Sequence, residues 1–197
     1  MVAAGQVHRV EPNNELSRVQ YARLVRKRAG GKSASSSVRL GVTPRVGLTD
    51  DFRHCWGGTL GYRIDFADLG LDQRLGYCTS RFENARLRGR TDELQLTSGV
   101  YRAWDLRGWT LDLGGGLGLR LLRQSFDAQG RAPTHHALSP LAFVGIAGTL
   151  PVAGRFFVQL DSQLEAHLYR YQATSWSESE LRAAFAYRAG GFVGLSF

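Results

Sequence analysis

The chain has 197 residues, 43% hydrophobic and 21% charged, which suffices for one ordinary domain and falls short of two. Lysine plus arginine number 25 against 17 acids, a net charge of +8 that favours anionic partners such as nucleic acid, anionic lipid or acidic glycan. With 24 glycines but only 5 prolines, 2 cysteines and 1 methionine, the composition excludes collagen-like and disulfide-rich miniprotein classes. No stretch approaches the roughly 18 consecutive apolar residues of a membrane-spanning helix. Met1 to Gly5 lacks the basic-then-apolar layout of a leader, so an exported form is expected to be processed or truncated.

Residues 1–37 stand apart. They hold both lysines of the chain, Lys27 and Lys32, with Arg9, Arg18, Arg23, Arg26 and Arg28, against only Glu11 and Glu15. They end in the small polar run Gly30 to Ser37, which reads as a linker. The segment lacks interleaved aromatics beyond Tyr21 and matches no nucleic-acid module, so a nucleic-acid partner is not expected.

From Val38 onward the hydrophobic pattern has period 2. The first stretch sets Val38, Leu40, Val42, Val46 and Leu48 against Arg39, Gly41, Thr43 and Arg45. The second sets Trp56, Leu60, Tyr62, Ile64 and Phe66 against Cys55, Thr59, Arg63 and Asp65. Leu71, Leu75 and Tyr77 then oppose Asp72, Arg74 and Cys78; Leu94, Leu96, Val100 and Trp104 oppose Glu93, Gln95 and Thr97. The fifth stretch is the most regular, with Trp109, Leu111, Leu113, Leu117, Leu119 and Leu121 facing away from Asp112, Gly114, Gly116 and Arg120. The sixth, Leu138 to Leu150, has apolar residues on both faces and leaves its register open. The seventh sets Phe156, Val158, Leu160, Leu164 and Leu168 against Asp161, Glu165 and His167, and the eighth runs Leu181, Phe185, Tyr187, Val193, Leu195 and Phe197 against Arg182 and Arg188.

Eight alternating strands of about ten residues match tilted membrane-spanning β-strands, and an even number closes a sheet with both ends on one side. Tight connections near Ala67-Asp68, Asp105 to Gly108 and Pro151 to Gly154 alternate with loops near Thr49 to Arg53, Phe82 to Thr91, Arg123 to Thr134 and Gln172 to Ser179. The expected fold is all-β: an eight-stranded antiparallel up-and-down transmembrane barrel over 38–197, preceded by the basic extension 1–37. A soluble ligand-carrying barrel alternates equally well with its leucines inside. Three features favour leucines outward. The other face mixes glycine with charges of both signs, as a packed lumen requires. Aromatics gather near strand ends, Trp104, Trp109, Phe156 and Phe197 by the turns and Trp56, Phe82, Tyr169, Tyr171 and Trp176 by the loops, like two interfacial girdles. The last strand ends on Phe197, preceded at two-residue steps by Leu195 and Val193.

In these features the sequence resembles the small bacterial outer-membrane β-barrels, the eight-stranded OmpA/OmpX-like proteins. The resemblance covers Val38 to Phe197 and is one of pattern. It implies a monomeric protein of the bacterial outer membrane in contact with outer-membrane lipid and lipopolysaccharide, with Phe197 as part of the signal read by the barrel-assembly machinery and 1–37 in the periplasm.

The lumen of eight strands has room for side chains and little else, and buried charges must be paired. Arg39, Arg45, Arg63, Asp65, Asp72, Arg74, Glu93, Asp112, Arg120, Asp161, Glu165, His167, Arg182 and Arg188 are therefore expected to form a salt-bridge plug, with a narrow pore as the alternative. Cys55 and Cys78 fall on the inward face of neighbouring strands; they bond if the register agrees, and a slip of one residue pair leaves two free thiols. Neither has zinc-ligand spacing, and no metal or cofactor is expected. Arg81, Arg86, Arg88 and Arg90 read as a loop able to grip lipid phosphates, or as a solvated charged loop. His135, His136, Ser125 and Ser139 would suit a lipid-modifying enzyme, but no acid sits at a relay position, so no catalytic residue is assigned.

Overall fold

The computed structural model describes residues 34–49, 54–66, 68–83, 88–126, 134–171 and 180–197, without the side chains of His135, Arg170 and Tyr171. Most of the basic extension lies outside the described residues, as do Ala67, Arg86 and Trp176.

Nine segments form one antiparallel sheet: β1 (Ser35–Val42), β2 (Arg45–Gly47), β3 (Trp56–Phe66), β4 (Leu69–Glu83), β5 (Arg88–Leu106), β6 (Trp109–Phe126), β7 (His135–Ala153), β8 (Phe156–Tyr171) and β9 (Glu180–Ser196). Each pairs with the next from β3 to β9, and β1 pairs with both β3 and β9, which closes the ring. β1 and β2 are halves of one barrel strand. Both keep one register against β9, with Val42 opposite Gly191 and Arg45 opposite Arg188. The ladder lapses between them because Pro44 has no N–H to give. Its carbonyl still accepts from Ala189 at 3.2 Å, and Thr43 N–H donates to Gly57 at 2.9 Å. The barrel is therefore eight-stranded. Its first strand begins at Ser35, ahead of the expected Val38, because Ser35 to Ser37 continue the ladder against Asp65 to Arg63.

The alternation decides which face meets which medium. Leu40, Leu117, Leu160 and Val193 are 60–70% exposed outside, whereas Arg45, Asp72 and Glu165 are 1% or less exposed inside. Each strand adds to this apolar wall, which far exceeds the few hundred Å² of contiguous apolar surface that a monomer shows to water. That wall faces hydrocarbon, and the soluble-carrier alternative fails. Its height runs from Leu94 to Trp104 on β5 and from Leu111 to Leu121 on β6, the roughly 9–11 residues that a tilted spanning strand needs.

Tight turns close one end. Gly108 (φ 86°) and Gly154 (φ 55°) occupy the left-handed region that an L side chain avoids, which fixes the β5–β6 and β7–β8 turns. At the other end three strand ends run into the loops expected from sequence: β4 continues to Glu83, β5 starts at Arg88 and β6 reaches Phe126, while β7 starts at His135, where the expected loop ends. Above the apolar band both faces of a strand are polar or mixed, so the ladder persists where the alternation fades. The girdle also needs correction. Trp56, Trp104, Trp109, Phe156 and Phe197 face outward, but Phe82 turns inward against Phe126, ring centroids 5.7 Å apart, and Tyr169 lies on the inward row. In β7, Leu141 and Phe143 face the lumen while Ala142, Val144 and Ile146 face out, which settles the register left open by the sequence.

Candidate functional site

The lumen is the most organised chemistry in the molecule. Toward the turn end, β3 and β6 bring Arg63 and Asp112 together at 2.8 Å, with Asp65 on the same guanidinium at 2.7 Å. One layer further in, Asp72 Oδ2 accepts from Arg39 and from Arg74 Nε, the latter at 2.7 Å, and Arg74 also pairs with Asp161 across the barrel. Arg39 donates to Gln159 as well. The Tyr101 hydroxyl lies 3.2 Å from both Arg74 and Gln163, and its ring packs 5.9 and 5.6 Å from the guanidiniums of Arg63 and Arg74. Phe192 sits likewise 5.3 Å from Arg39. These rings cover the flat faces of guanidiniums whose edges are spent on carboxylates.

Toward the loop end, Glu93 accepts from Arg45 at 2.6 Å and lies 3.5 Å from Arg120. Glu165 lies 3.0 Å from both Arg188 Nε and His167 Nε2, and accepts from Gln95 at 3.1 Å. Among the described residues, six buried or nearly buried arginines (Arg39, Arg45, Arg63, Arg74, Arg120, Arg188) thus meet six carboxylates (Asp65, Asp72, Glu93, Asp112, Asp161, Glu165) in the lumen. Arg182 does not join them. It shares their face of β9 but lies beyond the packed region, 45% exposed and paired with Glu180 at 3.0 Å.

Space for these long side chains comes from glycine on the inward rows. A Cβ on Gly61 would stand 2.7 Å from Arg39 Nε, and one on Gly190 would stand 2.6 Å from an Asp161 carboxylate oxygen. The two cysteines are bonded, with Cα atoms 5.8 Å apart, on the diagonal between β4 and the residue preceding β3. Beside them, Thr43, Gly76, Cys78, Glu93, Gln95 and Arg188 leave about 10 Å³, room for one water at most.

The other candidate residues are scattered. Arg81, Arg88 and Arg90 belong to strands β4 and β5, and Arg86 lies outside the described residues. Arg90 donates to Asp92 at 2.8 Å and to the Tyr77 hydroxyl at 3.2 Å, while Arg88 pairs with Glu83 at 2.5 Å. Asp92 sits above the apolar band. Its slight burial alone would raise its pKa, but hydrogen bonds from Tyr77, Arg90 and Thr79 prevail and hold it below the ordinary carboxylate value. Ser139 is buried on the inward face and donates to the Leu168 carbonyl at 2.8 Å, whereas His136 is exposed and faces outward; the serine and histidine do not converge. Ser125 Oγ is within 3.4 Å of the Arg90 carbonyl. Phe197, 59% exposed, closes the last strand with its N–H donated to Ser36 at 2.8 Å. Sequence reasoning missed Tyr101, Gln159, Gln163 and Phe192, whose positions on the inward rows were the available signal.

The closed ring, the outward apolar band and the one-sided turns are shared with solved membrane proteins. Ail, the attachment invasion locus protein of Yersinia pestis, superposes with a TM-score of 0.58 at 16% identity, covering 84% of this chain and 99% of that one. The chain has the fold of the small eight-stranded outer-membrane β-barrels. A major outer membrane protein from Thermus thermophilus (TM-score 0.61, 10% identity, 84% and 100% covered) and Neisserial surface protein A (0.53, 12%, 84% and 99%) share it. No protein-family model and no curated protein matches the sequence. At such identities the likeness extends to the barrel and not to any partner.

Proposed function

We propose that the chain is a non-enzymatic integral protein of the bacterial outer membrane, an anchor whose loop-side rim meets partners and whose lumen is plugged by ion pairs. The observation that carries this reading is the charge balance of the lumen among the described residues: six arginines against six carboxylates, tightly layered with Tyr101, Leu141, Phe143 and Phe192. A conducting path needs a continuous column of water, and the side chains of the described residues that fill this eight-stranded lumen argue against one. The reading takes the barrel as a monomer in outer-membrane lipid, with Phe197 presented to the barrel-assembly machinery. Ser35, opposite Asp65, stands at the turn side, which this reading takes as the periplasmic one. The likeness of fold to outer-membrane proteins supports the compartment.

The test is insertion of the refolded chain into planar lipid bilayers in concentrated potassium chloride. A folded barrel, established by different gel mobility of boiled and unboiled samples, is expected to show no resolved conductance steps. Stable, reproducible steps from the folded species would replace the plug with the narrow-pore alternative.

A further inference from the structure

The outer wall is mostly carbon, but one rung at its middle is polar. Tyr62 on β3 stands opposite Gln73 on β4, and Gln73 opposite Ser98 on β5; Val38 and Leu117 flank the rung on β1 and β6. Gln73 lies midway between Leu69 at the turn end and Tyr77 at the loop end, at the centre of a band about 25 Å tall. Leu71 and Leu75 border it on β4, and Leu96 and Val100 border Ser98 on β5. The side chains of Tyr62, Gln73 and Ser98 are exposed, and none has a hydrogen-bond partner among the described residues. Other polar side chains of the wall are paired or stand near its edges. Ser162 on β8 donates to the Tyr187 hydroxyl at 2.9 Å, Tyr77 donates to Asp92 at 2.7 Å at the loop edge, and the Arg102 guanidinium lies 5.5 Å from the Trp104 ring toward the turn edge. Bulk water does not reach the middle of the wall, and an amide left unpaired in hydrocarbon is costly.

We propose that this rung is where two copies of the folded barrel pair side by side in the membrane. Three features select a second copy as the occupant. Barrels inserted in one orientation hold equal depth, so Gln73 meets Gln73 when two β4 walls face each other across a two-fold axis along the membrane normal. A two-fold contact needs a self-complementary patch, and an amide both donates and accepts, so the two Gln73 side chains can exchange reciprocal hydrogen bonds. The same rotation brings β3 of one copy toward β5 of the other, with Tyr62 on the side of Ser98, and each hydroxyl likewise donates and accepts. The rung also carries no charge for a second copy to repel. Its size sets the strength of the pair: three strands span about 10 Å and Leu71 to Leu75 about 14 Å, an area well below the roughly 800 Å² per partner of a standard interface. The pair is therefore a reversible association of folded monomers. The inference goes beyond the proposed function, in which the single barrel is the unit that folds, and leaves that reading intact.

The experiment is sedimentation equilibrium of the refolded full chain in density-matched micelles over a range of protein-to-detergent ratios, joined to cysteine cross-linking in dimyristoylphosphatidylcholine vesicles. Wild type is expected to pass from one copy to two as the ratio rises. Gln73→Leu is expected to weaken the pair about tenfold, the scale of two hydrogen bonds between membrane segments. Ser162→Ala removes a hydroxyl already paired within its own barrel and should leave association unchanged. Because Cys55 and Cys78 are bonded to each other, a cysteine introduced on the wall is left to meet its own counterpart. Gln73→Cys is expected to give a covalent pair on mild oxidation, and Leu160→Cys, 67% exposed on β8, to give none. A wild-type chain that stays single at every ratio overturns the inference and leaves the monomeric barrel of the proposed function standing. Equal association by Q73L, or equal cross-linking at positions 73 and 160, overturns the site. If Q73L fails to fold, the cross-linking comparison decides alone. A wild-type chain without a gel mobility shift overturns the barrel reading itself, a result separate from any change in association.

Discussion

Asp72→Ala tests whether the lumen is a dry, closed set of ion pairs. Asp72 is 1% exposed and its Oδ2 serves both Arg39 and Arg74, which are 3% and 5% exposed. Removing the carboxylate leaves two buried guanidiniums sharing a cavity. Breaking a buried pair costs about 3–5 kcal/mol. Arg74 retains Asp161 and Arg39 retains Gln159, which argues for the lower end, about 3 kcal/mol. The assay is urea unfolding from lipid vesicles followed by fluorescence of Trp56, Trp104 and Trp109, all on the outer wall. With a slope of about 2 kcal/mol per molar, the midpoint should fall by about 1.5 M. Asp72→Asn keeps the volume and one acceptor, and should lose less. Glu180→Gln is the control: its pair with Arg182 is at the rim, 66% and 45% exposed, and should change stability by no more than about 0.5 kcal/mol. A midpoint for D72A within about 0.3 M of wild type would refute the reasoning, because it would mean that water already solvates those guanidiniums.

Cys55→Ser/Cys78→Ser opens a bond that spans 23 residues, and the loop-entropy scale predicts a loss of about 3 kcal/mol in the same unfolding assay; identical midpoints with the wild-type bond intact would contradict it. Gly99→Ala should cost about 1–3 kcal/mol, since its Cβ would meet the Phe143 ring at 2.7 Å and the Gly115 carbonyl at 3.0 Å, neither free to yield. Gly58→Ala meets only the Gly41 carbonyl at 3.6 Å and should be tolerated, so equal effects at the two positions would count against the packing argument. Asp92 should titrate below the ordinary carboxylate value by carbon-detected NMR in micelles, and Tyr77→Phe should raise it. Because its folded pKa is depressed, the stability that Asp92 adds is present above its unfolded pKa and disappears as pH falls through the folded one. Loss of that acid-side dependence in Asp92→Asn is the matching observation.

The fold was legible where lipid and lumen impose opposite demands on successive residues. Leu117 and Leu119 must be apolar while Arg120 must find a charge partner, so β6 announces its face over the whole band. Above the band that contrast ends. Arg81, Arg88 and Arg90 lie in strands whose outer face meets water or headgroups, and nothing in their spacing distinguishes strand from loop. The inward apolar residues failed for the opposite reason. Leu141 and Phe143 beside Val144 and Ile146 give no alternation at all, since this part of β7 presents carbon both to the lumen and to the outer wall.

Which residues face the lumen follows from parity along one strand; which of them touch follows from how far each strand slides past its neighbour around the ring. The sequence places Arg74 and Asp161 on inward rows of β4 and β8, 87 residues apart, but cannot say that they meet. Arg39 and Gln159, 120 apart, meet for the same reason. Cys55 and Cys78 flank a single short turn, across which little slippage accumulates, and were legible to within one residue pair. By contrast, Arg123 and His136, an arginine in one expected loop and a histidine just beyond it, stand opposite each other only through the register of β6 on β7.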